Sequence, residues 1–248
     1  MGQNLDFIFG VRAIIEAIRS GKEIDKVLIR KGLAGELFQE LFQEMKANNI
    51  GFQYVPVEKL NRITQKNHQG VIALVSPISY NNIESIIPWL FEQGKTPFIL
   101  ILDGVTDVRN IGAIARTAEC AGVDAIIVPE KGSAQINADA VKTSAGALNY
   151  IQVCKVKSLI NTVKFLKDSG LQIIAATEKT SKPYFKLDYK EPLTLILGAE
   201  DTGISSDLLR IADHLVRIPL MGHIQSLNVS AAASIIIYEA VKQRLLSQ

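Results

Sequence analysis

At 248 residues, with 48% hydrophobic and 21% charged content, the chain has ample apolar side chain for packed cores; an intrinsically disordered protein is excluded, and one to two domains are expected. No apolar run reaches the roughly 18 residues that a membrane helix needs. The start carries no basic-then-apolar leader, and Asp6 stands where a myristoylation signal wants Ser or Thr, so an unprocessed cytoplasmic protein is expected. The net charge of +2 is unevenly placed: residues 1–77 hold 10 Lys+Arg against 8 Asp+Glu, whereas residues 78–248 balance at 17 against 17, which is compatible with a local phosphate-contacting patch near the front.

In chain order, the front reads as a helix over 10–19, a strand over 26–30, a helix over 34–48 and a strand-like run over 70–75. Together they form a small α/β domain, residues 1–77. Residues 78–94 follow with Asn81, Asn82, Pro88 and Gly94, a composition that breaks regular structure, and are expected to be a linker, although 83–91 fits a short helix. From residue 95 onward almost continuously apolar runs at 98–102, 125–129, 171–176, 193–197 and 215–219 suit strands buried on both faces. Helical patterns lie between them, with Ile111, Ile114, Ala115 and Ala118 on one stripe, a second helix over 158–168 and a long terminal helix over 228–246. Alternating strands and helices predict a parallel α/β sheet in residues 95–248. The terminal helix is apolar enough to pack against something beyond its own sheet.

Common site signatures are missing: GxGxxG, GxxxxGK[ST], HExxH, GxSxG and CxxC do not occur, and three histidines (His68, His214, His223) make a His-rich metal site improbable. Cys120 and Cys154 are too few and too far apart for a disulfide framework and read as small core hydrophobes. Polar residues instead bunch at three predicted strand ends, where open α/β sheets build binding sites. They are Asp103-Gly-Val-Thr-Asp-Val-Arg109-Asn110-Ile-Gly112 with Arg116 on the helix that follows, Gly198-Ala-Glu200-Asp201-Thr-Gly203, and Leu220-Met-Gly-His-Ile-Gln-Ser226-Leu-Asn228. Each has a plain alternative: Asn110, Asn228 or Ser226 as helix N-caps, Gly198 and Gly203 as turn residues, Glu200 as a first-turn acid, Arg116 as a solvated surface residue. Asn110 and Arg116 are both expected to stand off the apolar stripe of their helix.

These three segments, in order, spacing and strand context, resemble the signature motifs of the SpoU (TrmH-like) RNA ribose methyltransferases over about residues 95–245. The front, with Phe9-Gly-Val-Arg-Ala-Ile-Ile-Glu-Ala and Asn67-His-Gln-Gly-Val71, is similar to the substrate-binding domain of the ribosomal large-subunit (23S rRNA) guanosine methyltransferases. The resemblance implies a C-terminal parallel-sheet methyltransferase domain with a deep trefoil knot, a small N-terminal α/β (L30e-like) RNA-binding domain and a homodimer packed partly through the last helix. It implies S-adenosylmethionine as cofactor, held around Thr177, Leu197, Gly198, Ile218, Met221 and Leu227, with no metal. It further implies a catalytic constellation of Asn110, Arg116, Glu200, Ser226 and Asn228, acting on a ribose 2′-hydroxyl. The matching arginine has been cast as general base; because guanidinium gives up its proton very reluctantly, an electrostatic grip on a phosphate or the forming alkoxide is the preferred role for Arg116, with Glu200 either orienting its neighbours or taking the proton. RNA contacts are expected from Arg12, Arg30, Lys31, Arg62, Lys66, Asn67 and His68, although His68 and Asn67 also suit a turn. Other readings are the same chemistry on transfer RNA or another ribosomal site, and a non-catalytic RNA-binding assembly factor.

Overall fold

The computed structural model describes residues 7–134, 136–224 and 226–247. It separates into two compact units, Met1–Ser79 and Tyr80–Gln248.

In the first unit β1 (Phe7–Phe9), α1 (Val11–Arg19), β2 (Ile24–Arg30), α2 (Glu36–Ala47), β3 (Phe52–Val55), α3 (Val57–Ile63) and β4 (Val71–Val75) follow one another. The sheet runs β1-β4-β2-β3, with β4 antiparallel to both neighbours and β3 added parallel to β2 at the edge. Strand alternation sends Val27, Ile29, Val71 and Ala73 to one face, where Ile14, Ile15, Leu41 and Met45 of α1 and α2 cover them. Leu28, Ile72 and Leu74 face the other way onto Val55 and Leu60. The short elements β1, β3 and α3 leave little trace in the sequence: β3 buries only Val55 and α3 only Leu60, so neither makes an apolar run.

The second unit contains α4 (Ile83–Glu92), β5 (Phe98–Asp103), α5 (Val108–Cys120), β6 (Ala125–Pro129), α6 (Ala138–Thr143), β7 (Gln152–Val156), α7 (Leu159–Asp168), β8 (Gln172–Ala176), β9 (Leu193–Gly198), α8 (Ser206–Ile211), β10 (His214–Val216) and α9 (Val229–Leu245). As expected from the buried runs, all pairs in the six-stranded sheet β10-β8-β9-β5-β6-β7 are parallel. Strand β7 escapes sequence reading because its flanking residues are only partly buried. The run at 215–219 is a strand only as far as Val216; beyond it Arg217 makes an isolated bridge with Pro183.

The stretch 78–94, expected to be a linker, is not one: from Tyr80 it belongs to the second unit. Asn81 pairs with Cys154, Asn82 caps α4 by accepting from the Glu84 N–H at 2.9 Å, and Ile83, Ile87 and Leu90 enter the core beside Ile99 and Cys154. Three buried aliphatic side chains are worth about 1.5–3 kcal/mol each, which outweighs the roughly 3 kcal/mol cost of Pro88 inside the helix. Of the two cysteines Cys154 is buried, and burial pushes its thiol up to about 12. Cys120 is exposed at the end of α5, contrary to the core role expected of it.

Candidate active site

Asp103, the last residue of β5, lies in register with Gly198 at the end of β9, and its carboxylate accepts the Ser205 N–H at 2.8 Å. That bond ties the loop after β9 to the neighbouring strand. The loop turns tightly, with Ala199 and Gly203 exchanging backbone hydrogen bonds at 3.2 and 3.0 Å. A Cβ on Gly198 would stand 2.2 Å from the Gly203 carbonyl carbon, so a side chain here forces the turn open. Glu200 sits at its tip.

Helix α5 starts earlier than its apolar stripe suggests because Asp107 is the N-cap, accepting from the Arg109 N–H at 2.8 Å. Asn110 is therefore no cap. It occupies the first turn and is 8% exposed, which corrects its expected place off the buried stripe. Asn228 does cap α9, taking the Ser230 N–H at 2.9 Å on its Oδ1, and is more than a cap. Its Nδ2 donates to Asn110 Oδ1 at 3.0 Å and also to Glu200 Oε1, while Asn110 Nδ2 donates to the same Glu200 oxygen at 3.1 Å and the Val229 N–H reaches it at 3.4 Å. One carboxylate oxygen thus gathers donors from α5 and α9, with the direction of each asparagine amide set by its partners.

Arg116 lies six residues beyond Asn110, about 9 Å along α5, exposed and without hydrogen bond or ion pair among the described residues. Ser226 is exposed and stands outside the hydrogen-bonded group. Thr177, Gly198 and Ile218 follow or end β8, β9 and β10, three strands adjacent in the sheet, and the Thr177 N–H donates to Val216 O at 2.8 Å. Leu197 is buried in β9, whereas Met221 is 96% exposed and Leu227 39%. The uncovered side chains of Met221 and Leu227 and the backbone groups at the three strand ends are the two kinds of group an adenosine needs, apolar cover for its faces and hydrogen bonds for its edges. Sequence reading missed Asp107 and the Val229 N–H; the Asp-x-Arg cap ahead of Asn110 was the available signal for the first. A separate cavity of about 600 Å³, lined among others by Trp89, Lys95, Asp124 and Tyr150, lies at the opposite ends of the strands and shares no residue with this cluster.

In the first unit Arg30, Lys31 and the residues before β4 meet at one end of the sheet: the Arg30 N–H donates to Gly70 O at 2.8 Å and the Lys31 N–H to Val55 O at 3.1 Å. The Val11 N–H donates to Gln69 Oε1 at 3.0 Å, and Lys66 stands 5.9 Å from the centre of the Phe9 ring. Arg12, Arg30, Lys31, Lys66 and Asn67 are exposed at this end, and Arg62 is exposed on α3. His68 takes the turn role, the second of the two expected of it. It is buried, its Nδ1 accepts the Gly70 N–H at 3.0 Å and its Nε2 pairs with Asn61 Oδ1 at 2.9 Å, so it holds the turn and has no ring nitrogen left for RNA.

A parallel sheet with amides and a carboxylate gathered at its carboxyl ends, in a chain whose front unit ends in a basic edge, defines an α/β enzyme of the nucleic-acid-modifying class. Residues 97–238 match the SpoU rRNA Methylase family, and residues 7–81 match RNA 2′-O ribose methyltransferase substrate binding. A TrmH family tRNA/rRNA methyltransferase of Staphylococcus saprophyticus is 36% identical over 237 residues, 96% of this chain and 95% of its own length. The AdoMet-bound rRNA methyltransferase of Sinorhizobium meliloti is similar at a TM-score of 0.62 and 25% identity, over 96% of this chain and 87% of its own. The TrmH/SpoU tRNA modifying enzyme of A. aeolicus is similar at a TM-score of 0.57 and 32% identity, over 66% of this chain and 85% of its own. The chain belongs to the SpoU rRNA methylase family: it is an S-adenosylmethionine-dependent RNA 2′-O-methyltransferase.

Proposed function

We propose that the chain methylates the ribose 2′-hydroxyl of a guanosine in 23S ribosomal RNA, with the Asn110–Glu200–Asn228 group holding the acceptor and Arg116 stabilising its charge. The hydrogen-bonded convergence of Asn110 and Asn228 on one oxygen of Glu200 carries the reading. A ribosomal target is favoured over transfer RNA because the similarity to the rRNA enzyme extends over 96% of the chain, front unit included, and that to the tRNA enzyme over 66%.

S-adenosylmethionine, held by Thr177, Leu197, Gly198, Ile218, Met221 and Leu227, supplies a methyl group already activated by its sulfonium charge. The chain's own residues act on the acceptor, a poor nucleophile until its proton is shared or lost. Glu200 Oε1 is engaged by two side-chain amides and a backbone N–H, so this oxygen orients Asn110 and Asn228, while the second carboxylate oxygen, without a partner among the described residues, is the one left to accept a proton. Arg116, without a partner among the described residues, has its guanidinium fork available for a substrate phosphate or the developing alkoxide. Ser226, next to the Asn228 cap, adds a hydroxyl to the acceptor side. The deep trefoil knot implied by the family would be formed by the segment after the edge strand β10, which returns to lay α9 against α5 and β9. Tyr238, half exposed on α9, and Leu245 and Leu246 at its end are the apolar surface on which a homodimer would pack.

Arg116→Ala tests the assignment. Stability should stay within about 0.5 kcal/mol, as for an exposed unpaired side chain, and S-adenosylmethionine affinity should be unchanged in calorimetry, while methyl transfer is lost. Arg116→Lys discriminates further, since it keeps the charge without the bidentate fork: substantial retained activity favours simple charge stabilisation, and full activity of the alanine variant overturns the role. Mass-spectrometric mapping of ribose methylation in cells lacking the protein identifies the RNA; a mark lost from transfer RNA, with ribosomal RNA intact, overturns the ribosomal target.

A further inference from the structure

Aromatic residues make up only 6% of the chain, yet four of them form a continuous stripe on the first unit. Ring centroids are 6.3 Å apart for Phe38 and Phe42, 5.3 Å for Phe42 and Phe52, and 5.5 Å for Phe52 and Tyr54, the last two pairs edge to face. Phe42, Phe52 and Tyr54 are 37, 43 and 47% exposed, an unusual outlay of ring surface for side chains that gain most from burial. They lie where β3, the edge strand, meets α2. Phe52 and Tyr54 are in register with Val27 and Ile29, so they extend the α2 face of the sheet outward past its core.

The neighbourhood of these rings is selective in charge. Counting about 100° per residue along α2, Lys46 lies about 40° and Gln39 about 60° from Phe42. Glu40 and Glu44 lie about 160° away on the other flank, where Arg19 binds both at 2.9 and 2.8 Å. Along α2 the near flank of the stripe thus carries Gln39 and Lys46, while Glu40 and Glu44 lie on the far side of the helix, paired with Arg19. Its Tyr54 end is one residue from Val55, whose carbonyl accepts the Lys31 N–H, so it runs into the basic end that carries Arg30 and Lys31.

We propose that this stripe is a stacking platform for an unpaired segment of the RNA substrate, with bases on Phe42, Phe52 and Tyr54 and the backbone led to the cations at the end of β2. Exposed rings with the Gln39 amide on their flank suit splayed bases, whose faces and edges a duplex hides. Lys46 beside the rings, with Glu40 and Glu44 turned away and paired with Arg19, suits a polyanion. The proposal deepens the reading of residues 7–81 as the RNA-binding unit and rests on it.

The test uses the full chain, a 12-nucleotide unstructured RNA and a duplex of the same sequence. Phe52→Leu with Tyr54→Leu keeps apolar packing on the edge strand but removes the π faces, so it should leave the melting temperature and S-adenosylmethionine binding in place. Affinity for the single strand should drop roughly 5- to 150-fold per lost stacking contact, with the salt dependence unchanged. Lys31→Ala should instead reduce the log–log salt slope by about 0.7, the signature of one lost phosphate contact on a single strand. Tyr54→Phe should bind like the parent. If the leucine variant binds the single strand as well as the parent does, the platform is overturned while RNA binding by this unit stands. Binding of neither RNA by the parent overturns both. Unchanged RNA affinity together with loss of self-association in sedimentation would assign the edge to a second copy of the chain and also overturn the platform.

Discussion

The side-chain amide of Asn110 donates to Glu200 and accepts from Asn228, so removing it leaves two partners each one hydrogen bond short in a nearly buried place. Asn110→Ala should abolish methyl transfer and also destabilise the fold by about 1–3 kcal/mol, measured by chemical denaturation; loss of activity with unaltered stability would show that the hydrogen bonds do not hold the site together. Glu200→Gln keeps shape but exchanges charge-assisted bonds for neutral ones, and a loss of about 1–1.5 kcal/mol in orienting strength corresponds to a fall of about 5- to 12-fold in single-turnover rate. Away from the site, Thr194 in the middle of β9 is fully buried and its hydroxyl has no partner among the described residues. Thr194→Val replaces that hydroxyl with a methyl of the same shape and should stabilise the protein by about 1 kcal/mol, visible as a raised melting temperature with activity unchanged.

Helix α9 is fixed at both ends, which makes it a rigid carrier for Asn228. At its far end the Arg244 guanidinium donates to the carbonyls of Tyr189, Thr96 and Glu191, each at 3.0 Å; at its near end the cap residue enters the site. A second clamp joins α7 to the edge strand: Lys167 pairs with Asp213 at 2.5 Å, and the Ile173 N–H donates to the same carboxylate at 2.9 Å. Burial alone would raise the Asp213 carboxyl, but the Lys167 and Ile173 hydrogen bonds overcompensate and hold it below its ordinary value. A carboxylate lowered on folding favours the folded state above its unfolded pKa of about 3.9 and loses that contribution as pH falls through the folded value. Asp213→Asn should therefore lower the melting temperature at neutral pH and flatten its decline below about pH 4; melts across that range with parallel curves for both proteins would refute the linkage. At this scale the sequence was readable where burial is two-sided, as in β5, β6 and β9, because a strand covered on both faces must be a continuous apolar run. It was silent for β3 and α3, which each bury one side chain. It allowed the short helix at 83–91 but misplaced it in a linker, because Pro88 and the flanking Asn and Gly signalled a break that core burial overrode.

The two units divide the work, and the place of the division is itself testable. A chain beginning at Tyr80 keeps α4 and with it Ile83, Ile87 and Leu90 of the core; one beginning at Lys95 does not. The first should fold and bind S-adenosylmethionine in calorimetry while losing most RNA affinity, and the second should melt several degrees lower or fail to fold. Equal stability of the two would mean that α4 is the linker its composition suggests. By itself the sequence determined the class of each unit, the parallel sheet and the positions of the three polar clusters, since apolar runs and strand-end motifs are local patterns that depend on no distant partner. Only the tertiary structure decided that Asn110, Glu200 and Asn228, separated by 90 and 28 residues, share one carboxylate oxygen. It also decided that His68 is spent on a turn and that exposed rings from α2 and β3 line up along one edge. Those outcomes are set by which elements the sheet order brings together, and hydrogen-bond partners distant along the chain leave no periodic mark in it.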